Sequence, residues 1–469
     1  MESPFSYLQK DDVICALSTA PGTAAIAVIR VSGKDCLALV KTIFKPTVKQ
    51  TDLAIAGGYT IHHGFIHDGD ALIDEVLLSL FKAPHSFTGE DVVEISVHGS
   101  PYIQKSLLEI LVRKGARMAR PGEFTMRAFI KGKYDLSQAE AIADLIASNS
   151  SASHDLALQQ MRGGYSHKIK ELRQQLLDLT ALFELELDFS EEDVEFADRK
   201  QFKDLLAILK QELEKLIASF SLGNVLKHGI PVAIIGSPNV GKSTLLNAIL
   251  DEERALVSEI PGTTRDSIED VLNIQGTSFR FIDTAGLRET LDQVESMGIE
   301  RTYAMIAQSS IVLYVFDLLT TTYEDLLLIT EELEPEVQSK GKHLIFIGNK
   351  VDLLVESPHH LRDMLDLEVI FISAKRKENI SSILDSLLAN VEAGKASDEV
   401  IVSNARHFDA LQQALIAIDA VAKGLGEGVP TDLVAIDLRT ALHQLGLITG
   451  TVSSQEVLAT IFGRFCIGK

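Results

Sequence analysis

The chain has 469 residues, of which 46% are hydrophobic and 23% are charged, and its formal net charge is −22. At roughly 100–200 residues per domain this length predicts about three globular domains, and the composition excludes a disordered or fibrous chain. The acidic balance also disfavours a protein that coats nucleic acid over its whole surface, because such a charge repels a polyanion at long range.

The first residues, MESPFSYLQKDD, are polar and lack the basic-then-apolar order of a signal peptide. No later stretch approaches the ~18 consecutive apolar residues that a membrane span needs. The three cysteines, Cys15, Cys36 and Cys466, have no metal-ligand spacing, which disfavours structural zinc and fits a reducing compartment. We therefore expect a cytoplasmic protein without stable membrane insertion.

Residues 13–98 predict a series of short strands, because apolar segments rich in β-branched residues alternate there with turn residues. These segments read VICAL, AAIAVIRVS, YTIHHGFI, VLLSLF and VVEISVH. A helix is predicted at 101–114, and together these elements indicate an α+β domain over residues 1–130. Eight basic residues between Lys105 and Lys133, against two acids, are typical of either a solvated face or an anion-binding patch.

From Ser137 to about Phe220 the apolar pattern becomes helical, and it becomes helical again after Phe408. The first of these stripes contains Leu172, Leu176, Leu179 and Phe183, and the later ones contain Leu411, Leu415, Ile418, Leu438, Leu442 and Leu445. Two separated helical blocks indicate one bundle that is interrupted by an insertion. We predict a helical domain at 131–225 plus 396–469 and an inserted domain at 226–395.

The inserted domain opens with a phosphate-binding motif. An apolar strand at Val232–Ile235 leads into Gly236-x-x-x-x-Gly241-Lys242-Ser243, and a helix-forming segment follows. The glycines allow backbone N–H groups to turn towards phosphate oxygens, and the helix directs its partly positive N-terminus at the same anion. Lys242 is expected to reach the β- and γ-phosphates, and the hydroxyl of Ser243 is expected to bind Mg²⁺.

A second strand, FRFI, leads into Asp283-Thr284-Ala285-Gly286, where Asp283 can hold Mg²⁺ through water. Between the two motifs lies a turn-rich segment whose Thr264 can complete the metal shell while a γ-phosphate is present. Leu287 stands where many small GTPases carry the glutamine that orients the attacking water. Another polar group must do this, and the candidates are Arg288, Glu289, Asp292 and Glu295.

The choice of base is predicted by Asn349-Lys350-Val351-Asp352, which follows the strand HLIFIG. A carboxylate at Asp352 can accept two hydrogen bonds from the ring N–H and the exocyclic amine of guanine, whereas adenine offers no such donor pair. Ser373 and Ala374 follow another apolar strand and can supply a backbone N–H to the guanine carbonyl. The predicted GTP-binding residues are Asn239, Val240, Gly241, Lys242, Ser243, Thr244, Ser258, Thr263, Thr264, Asp283, Thr284, Ala285, Gly286, Asn349, Lys350, Asp352, Ser373 and Ala374.

With these motifs in place, more specific segments lie along the whole length of the chain. They read SFTGED, RPGEFTMRAF, DLSQAEAIADLI, GTTRD, VESMGIE and FCIGK. By these segments the chain resembles the MnmE (TrmE) family of tRNA-modification GTPases, within the TrmE-Era-EngA-like superfamily. The resemblance implies a multidomain α/β protein that consists of a folate-binding-like α+β domain, a central helical bundle and an inserted Ras-like P-loop GTPase domain, whose mixed sheet is flanked by helices.

The resemblance also implies an activity and its partners. Members of this family form homodimers through the N-terminal domain. With an MnmG-like partner that uses FAD and NADH, they form a heterotetramer that adds a carboxymethylaminomethyl or aminomethyl group to C5 of the wobble uridine of certain tRNAs. A 5,10-methylenetetrahydrofolate or 5-formyltetrahydrofolate-like cofactor donates the one-carbon unit. The positions that match the folate pocket are Arg30, Glu94, Lys133 and Lys469.

The same resemblance implies that K⁺ activates hydrolysis when two GTPase domains dimerise. Asn239 matches the side-chain ligand, and Ser258, Ile260 and Thr263 match the positions that complete the cation site. Such a cation can offset the charge that develops between the β- and γ-phosphates. Glu295, in VESMGIE, matches the residue that orients the water, so that the expected catalytic residues are Glu295, Lys242 and Asp283.

Two other functions stay open on the sequence. One is a GTP-regulated assembly or ribosome-associated factor without a direct role in base chemistry, which would not need a folate pocket. The other is a folate-dependent enzyme with a vestigial GTPase domain. Cys466 is a lone thiol without an evident histidine partner, and such a residue more often packs or lines a pocket than it catalyses.

Overall fold

The computed structural model describes residues 12–48, 52–188, 199–256, 270–282, 296–338, 342–354, 369–389 and 400–469. The chain forms two compact units, each built from separated segments. The first contains Met1–Ala143, Gln159–Gln211 and Ala410–Lys469, and the second contains Asp144–Leu158 and Glu212–Asp409. Among the described residues, no helix has the length and apolar character needed to cross a membrane.

A seven-stranded sheet forms the N-terminal part of the first unit. Its strands are β1 (Ile14–Leu17), β2 (Ile26–Ser32), β3 (Phe44–Pro46), β4 (Thr60–Asp68), β5 (Ala71–Phe81), β6 (Val92–His98) and β7 (Arg117–Met118). The strand order is β3-β4-β5-β6-β2-β1-β7, and β1 and β7 form the parallel pair in an otherwise antiparallel sheet. The five strands that the sequence predicts are confirmed.

Three helices accompany this sheet, namely α1 (Cys36–Lys41), α2 (Pro101–Arg113) and α3 (Glu123–Ile130). Side chains alternate between the two faces of a strand. Val93 and Ile95 therefore point to the face where they share a core with residues of α1 and α2. Arg30 and Glu94, which lie opposite each other in the β2–β6 register, point to the other face.

The next helices are α4 (Leu136–Ala147), α5 (Ser151–Met161), α6 (Gly164–Asp188) and α7 (Arg199–His228). The predicted stripe of α6 is confirmed, since Leu172, Leu176, Leu179 and Phe183 are all buried. The rings of Phe183 and Phe202 lie 4.2 Å apart, which places the end of α6 against the start of α7. The helical period of the sequence thus marks the faces that pack.

A six-stranded sheet lies at the centre of the second unit. Its strands are β8 (Ile230–Ile235), β9 (Asp270–Ile274), β10 (Thr277–Phe281), β11 (Ile311–Asp317), β12 (His343–Asn349) and β13 (Val369–Phe371). The order is β13-β12-β11-β8-β10-β9, and only the β9–β10 pair of this sheet is antiparallel. The carboxyl ends of β8, β11, β12 and β13 therefore meet at one edge, where ligands bind in open α/β sheets.

Helices cover both faces of this sheet. They are α8 (Lys242–Leu256), α9 (Ser296–Gln308), α10 (Tyr323–Gln338) and α11 (Ile380–Ala389). Leu245 and Ile383 share one buried cluster with β8, β11 and β12, while Ile306 and Leu333 share another with β8 and β11. The predicted mixed sheet with flanking helices is confirmed.

The chain then returns to helices, α12 (Ala405–Glu427), α13 (Thr431–Thr449) and α14 (Gln455–Phe462). Helix α13 packs against α6, although the two are far apart in sequence. Phe462 and Phe465 share a buried cluster with Met126 of α3 and Leu136 of α4. The C-terminal residues are thereby anchored beside the N-terminal sheet.

Candidate functional site

The loop after β8 has the backbone conformation that its glycines allow. Gly236 has φ +140° and Gly241 has φ +100°, values that side chains rarely adopt. An ideal Cβ on Gly236 would lie 2.1 Å from the carbonyl oxygen of Val315, and one on Gly241 would lie 2.4 Å from Nδ2 of Asn349. Between them Asn239 also has a left-handed conformation, with φ +64°. The spacing of this motif is therefore a steric requirement of the loop.

Lys242 is the first residue of α8, and its Nζ turns back over the loop. It donates hydrogen bonds of 2.7 Å and 2.8 Å to the carbonyl oxygens of Gly236 and Ser237. Burial lowers the pKa of Lys242 from its ordinary value. Ser243 and Thr244 follow in the first turn, and Val240 is buried in the core beneath the loop. The ammonium and the helix N-terminus thus face the same concave loop, an arrangement suited to phosphate.

Asn349, the last residue of β12, joins the phosphate loop to the loop after β13. Its Nδ2 donates a 2.8 Å hydrogen bond to the carbonyl oxygen of Val240. Its Oδ1 accepts hydrogen bonds from the backbone N–H groups of Lys350 and Ala374, at 2.8 Å and 3.0 Å. Asn349 is only 4% exposed, so that all these bonds are shielded from water. One side chain therefore fixes the loop expected to bind phosphate relative to the loop expected to bind the base.

Asp352 is oriented by the residues expected to lie beside the base. The hydroxyl of Ser373 donates a 2.7 Å hydrogen bond to Oδ1 of Asp352, and Arg376 lies 3.6 Å from the other carboxylate oxygen. The Ser373 hydrogen bond lowers the pKa of Asp352, and the charge of Arg376 acts in the same direction. The carboxylate is therefore ionised at neutral pH and can accept two hydrogen bonds from a guanine-like edge.

Lys350 has a partner that the sequence motifs do not reveal. Its Nζ lies 2.6 Å from Oδ2 of Asp317, the last residue of β11. Lys350 has φ +72°, which turns its side chain out of the strand direction. Because β11 and β12 are parallel neighbours, their last residues lie side by side. The sequence does contain one sign of this ion pair, because the acidic residue Asp317 ends the apolar strand IVLYVFD.

Several predicted site residues lie outside the described part of the chain. They are the proposed magnesium and potassium ligands Ser258, Ile260, Thr263 and Thr264, the segment Asp283, Thr284, Ala285 and Gly286, and the proposed water-orienting residue Glu295. The phosphate loop and the base-binding loops are described.

A second polar cluster lies on the face of the N-terminal sheet opposite α1 and α2. Nε and Nη2 of Arg30 donate to the same oxygen of Glu94 at 2.9 Å and 2.7 Å. Nη1 donates to the carbonyl oxygen of Gly468 at 3.3 Å. The guanidinium lies over the rings of Phe87 and Phe124, at 4.8 Å and 5.5 Å from their centroids. Phe87 and Phe124 are therefore further members of this cluster, and the sequence analysis does not identify them as site residues.

Lys469 lies close to this cluster, and two effects lower its pKa. Burial is the larger effect, the positive charge of Arg30 acts in the same direction, and Glu94 opposes both. The structure thus brings together Arg30, Glu94 and Lys469, three of the four positions that match the folate pocket. Nζ of the fourth residue, Lys133, donates to the carbonyl oxygen of Pro84 at 3.1 Å.

The basic stretch between Lys105 and Lys133 is in part neutralised inside the fold. Arg127 is 6% exposed, and it pairs with Asp12 at 2.7 Å and with Glu90 at 3.1 Å. Arg117 pairs with Asp12 at 2.8 Å and with the buried Glu123 at 2.6 Å. These two arginines are therefore not part of an anion-binding patch. Their carboxylate partners at Asp12 and Glu90 lie outside the stretch, so that its local charge count could not reveal them.

Comparison with family models matches nearly the whole chain. A model described as the MnmE helical domain matches residues 136–466, and a model described as the GTP-binding protein TrmE N-terminus matches residues 13–133. The first match covers more than half of the chain and extends on both sides of the six-stranded sheet. The two models therefore meet close to the start of α4.

Full-length relatives agree with these models. A tRNA modification GTPase MnmE of Flavobacterium johnsoniae is 51% identical over 98% of this chain and 99% of its own length. Proteins of the same name from Christiangramia forsetii and Cytophaga hutchinsonii are 50% and 49% identical over 98% of this chain, and they are covered over 100% and 98% of their lengths. A solved G domain of the T. maritima FeoB iron transporter overlaps 35% of the chain at 26% identity, with a TM-score of 0.26.

Proposed function

Because the chain belongs to the MnmE family of tRNA modification GTPases, we propose that it binds and hydrolyses GTP in the course of modifying tRNA. The observation that carries this proposal is the double contact of Asn349, which holds the Val240 carbonyl of the phosphate loop and the Ala374 amide of the base loop. A loop suited to phosphate and a carboxylate suited to guanine are thereby fixed in one site. Both halves of a guanine nucleotide can be held at once.

The experiment compares tRNA nucleosides from a deletion strain by mass spectrometry. We expect the modified wobble uridine to disappear on deletion and to return with the wild-type gene. Lys242→Ala should not restore it, because the ammonium that faces the phosphates is lost. Asn247→Ala, on an exposed position of α8, is the matched control and should restore it.

Each alternative function gives a different result in this experiment. Unchanged nucleosides on deletion would reject the enzyme and favour an assembly or ribosome-associated factor. Full restoration by Lys242→Ala would favour a folate-dependent enzyme with a vestigial GTPase domain. Purified protein that binds ATP as well as GTP would contradict the assignment of the nucleotide.

We further propose that Mg²⁺ is bound by Ser243 and Thr264, with Asp283 acting through water. The donor set fits this ion, since hydroxyl and carboxylate oxygens are the ligands that Mg²⁺ prefers. When bound, the ion neutralises charge between the β- and γ-phosphates. The chain's own Lys242 approaches the same oxygens from the loop, and Glu295 is proposed to orient the attacking water.

Potassium is proposed to bind at Asn239, Ser258, Ile260 and Thr263 and to activate hydrolysis on dimerisation of the GTPase domains. The position of Asn239 supports this proposal, because it puts an amide side chain on the loop expected to bind phosphate, where the left-handed backbone conformation is one that asparagine adopts more readily than most residues. GTP turnover should be faster in K⁺ than in Na⁺, and Asn239→Ala should remove the difference. Equal wild-type rates in the two salts would eliminate the cation site.

For the N-terminal cluster we propose a one-carbon folate donor, held by Arg30, Glu94, Lys133 and Lys469. The proximity of Arg30, Glu94 and Lys469 on one face of the sheet supports a built anion site. The further proposals follow the family. The proposed domains are a homodimer-forming domain at 1–130, a helical domain at 131–225 plus 396–469 and a GTPase domain at 226–395. The proposed partner is an MnmG-like FAD protein in a heterotetramer, and the proposed location is the cytoplasm. Titration with 5-formyltetrahydrofolate tests the pocket, and Lys469→Ala should weaken this binding.

A further inference from the structure

We propose that Asn149, in the turn between α4 and α5, is a positioning residue for GTP hydrolysis. It holds the hairpin of β9 and β10, whose two ends lead into the segments that carry the proposed Mg²⁺ ligands Thr264 and Asp283. Asn149 and the hairpin both belong to the second unit. The contact itself is independent of any ligand, and only its effect on turnover rests on the proposed function.

The hairpin is a tight element that joins two parts of the proposed metal site. Its strands are connected by a two-residue turn, in which Gln275 and Gly276 have φ +47° and +85°. Such a turn matches the natural twist of the two strands that it connects. Thr264 lies shortly before β9 in the chain, and Asp283 lies shortly after β10. A displacement of the hairpin would therefore displace the chain next to both proposed ligands.

The turn end of the hairpin projects beyond the strand that supports it. β10 joins the sheet through β8, and the register pairs Phe279 with Ile230, the first residue of β8. Thr277 and Ser278 therefore extend past the start of β8. β9 is the edge strand of the described sheet, so that β10 is its neighbour on one side only. The position of this end thus depends on contacts from outside the sheet.

Asn149 contacts both strands of the hairpin at the projecting end. Its backbone carbonyl oxygen accepts a 2.5 Å hydrogen bond from Nδ2 of Asn273, and its Oδ1 accepts a 3.3 Å hydrogen bond from the hydroxyl of Ser278. Asn273 and Ser278 lie opposite each other in the β9–β10 register, and Ser278 is 5% exposed. Gly229 supports the same residue, because an ideal Cβ on it would lie 3.0 Å from the carbonyl oxygen of Ser278. One residue therefore bridges a strand pair close to the turn.

The turn that carries Asn149 is itself fixed on both sides. At the start of α5, the backbone N–H groups of Ser150 and Ser153 each donate to the hydroxyl of the other, at 3.2 Å and 3.1 Å. Near the end of α4, Asp144 pairs with Lys227 of α7 at 2.7 Å. A fixed support is what a positioning contact requires, since a loose one would move with the hairpin.

The contact lies at the opposite end of β8 from the phosphate loop. Ser278 lies beside the first residue of β8, whereas the loop follows the last. β8 has six residues, so that its two ends are about 17 Å apart at about 3.3 Å per residue. Loss of the Asn149 side chain should therefore change the rate of turnover and leave nucleotide affinity unchanged.

Hydrogen exchange of the nucleotide-free, full-length protein tests the contact directly. Peptides that cover residues 270–281 are followed by mass spectrometry. Asn149→Ala and Ser278→Ala should each accelerate exchange there by about threefold or more, the effect of losing one hydrogen bond. The double variant should exchange no faster than either single one, because both substitutions remove the same bond. Asn149→Asp keeps the acceptor oxygen and should exchange like the wild type.

The matched control for exchange is Asn247→Ala, on an exposed position of α8, which should leave these peptides at the wild-type rate. Wild-type exchange in Asn149→Ala would overturn the proposal. Acceleration in Asn149→Asp equal to that in Asn149→Ala would also overturn it, since the acceptor oxygen would then contribute nothing.

GTP turnover then separates a positioning role from a purely structural one. Asn149→Ala should lower kcat by about threefold to tenfold and raise the Mg²⁺ concentration that gives half-maximal turnover. The Kd for GDP, measured in EDTA, should stay at the wild-type value, and Asn149→Asp should restore kcat. If exchange is faster in Asn149→Ala while kcat and the Mg²⁺ dependence are unchanged, the contact is structural only and the proposal is wrong. Wild-type protein that does not hydrolyse GTP would overturn the proposed function as well, so that the two failures are distinguishable.

Discussion

At the scale of single residues, Asp352 is the side chain proposed to select the purine of the nucleotide. Its carboxylate is oriented by Ser373 and charged at neutral pH because that hydrogen bond and Arg376 lower its pKa. A guanine edge presents two donors to such a group, whereas a xanthine edge presents a carbonyl oxygen where guanine has its amine. On this proposal, the charge and the acceptor character of Asp352 set the specificity for guanine.

Asp352→Asn should weaken GTP binding by roughly 10–100-fold, because hydrogen bonds to charged groups contribute about 1.5–3 kcal/mol. Xanthosine triphosphate should bind better than it does to the wild type, since the new amide can donate to its carbonyl. Competition against a fluorescent guanine nucleotide measures both effects. Asp385→Asn, on an exposed position of α11, is the matched control. Unchanged GTP affinity would place the base elsewhere.

The conformation of the loops expected to bind phosphate and base could be predicted from their motifs, because these motifs encode backbone requirements. Gly236 and Gly241 are needed at their spacing, Asn349 ends strand β12, and Asp352 lies three residues after it. The Asp317–Lys350 pair could not be predicted, because it depends on which strands are neighbours in the sheet. The hydrogen bond between Arg30 and Gly468 could likewise not be predicted from short sequence motifs, because the two residues are far apart in the chain.

Among the elements, helix α3 combines a short apolar face with a buried charge at its start. Glu123 is 1% exposed, and it accepts hydrogen bonds from the backbone of Arg120 and from the side chains of Arg117 and Arg127. At the start of the same helix, the backbone N–H groups of Gly122 and Phe124 donate to the main-chain oxygens of Cys466 and Lys469. The ionic network therefore fixes the end of α3 that anchors residues 465–469.

Glu123→Ala should destabilise the protein by about 3–5 kcal/mol, because it leaves the buried Arg127 and the half-buried Arg117 short of one carboxylate. Urea denaturation followed by circular dichroism measures this loss. Glu109→Ala, at an exposed ion pair with Lys105 on α2, should change the unfolding free energy by less than about 1 kcal/mol. Equal effects of the two substitutions would show that the buried network contributes little.

The helices and strands differ in how clearly their sequences predict them, and the difference has physical reasons. The long amphipathic helices and the half-buried strands β4 to β6 carry clear periods of 3.6 and 2. Strands β3 and β7 have only three and two residues, too few to show a period. Strand β11 is buried along nearly all its length, so its sequence shows a continuous apolar run without alternation.

For the whole molecule, acid sensitivity follows from the partly buried ion pairs of the first unit. Burial by itself would raise the pKa of Asp12, but the hydrogen bonds and charges of Arg117 and Arg127 outweigh it, and the pKa is lowered. A carboxyl group whose pKa is lower in the folded state stabilises the protein above its unfolded pKa of about 3.9. That contribution is lost as the pH falls towards the folded pKa.

Wild-type protein should therefore be more stable than Asp12→Asn near neutral pH, and the difference should shrink as the pH falls from about 5 to about 3. Chemical denaturation at several pH values measures the difference. Asp70→Asn, at an exposed position in the turn between β4 and β5, is the control. A difference that is independent of pH would mean that the charge of Asp12 does not contribute to stability.

The contact of Arg30 with Gly468 joins positions 438 residues apart in the chain. During synthesis at about 5–20 residues per second, the N-terminal strands leave the ribosome roughly 20–90 s before the residues that cover them. Throughout that interval Met126 and Leu136 lack the C-terminal side chains, Phe462 and Phe465, with which they form a buried cluster. The burial of this apolar surface is therefore completed only when synthesis ends.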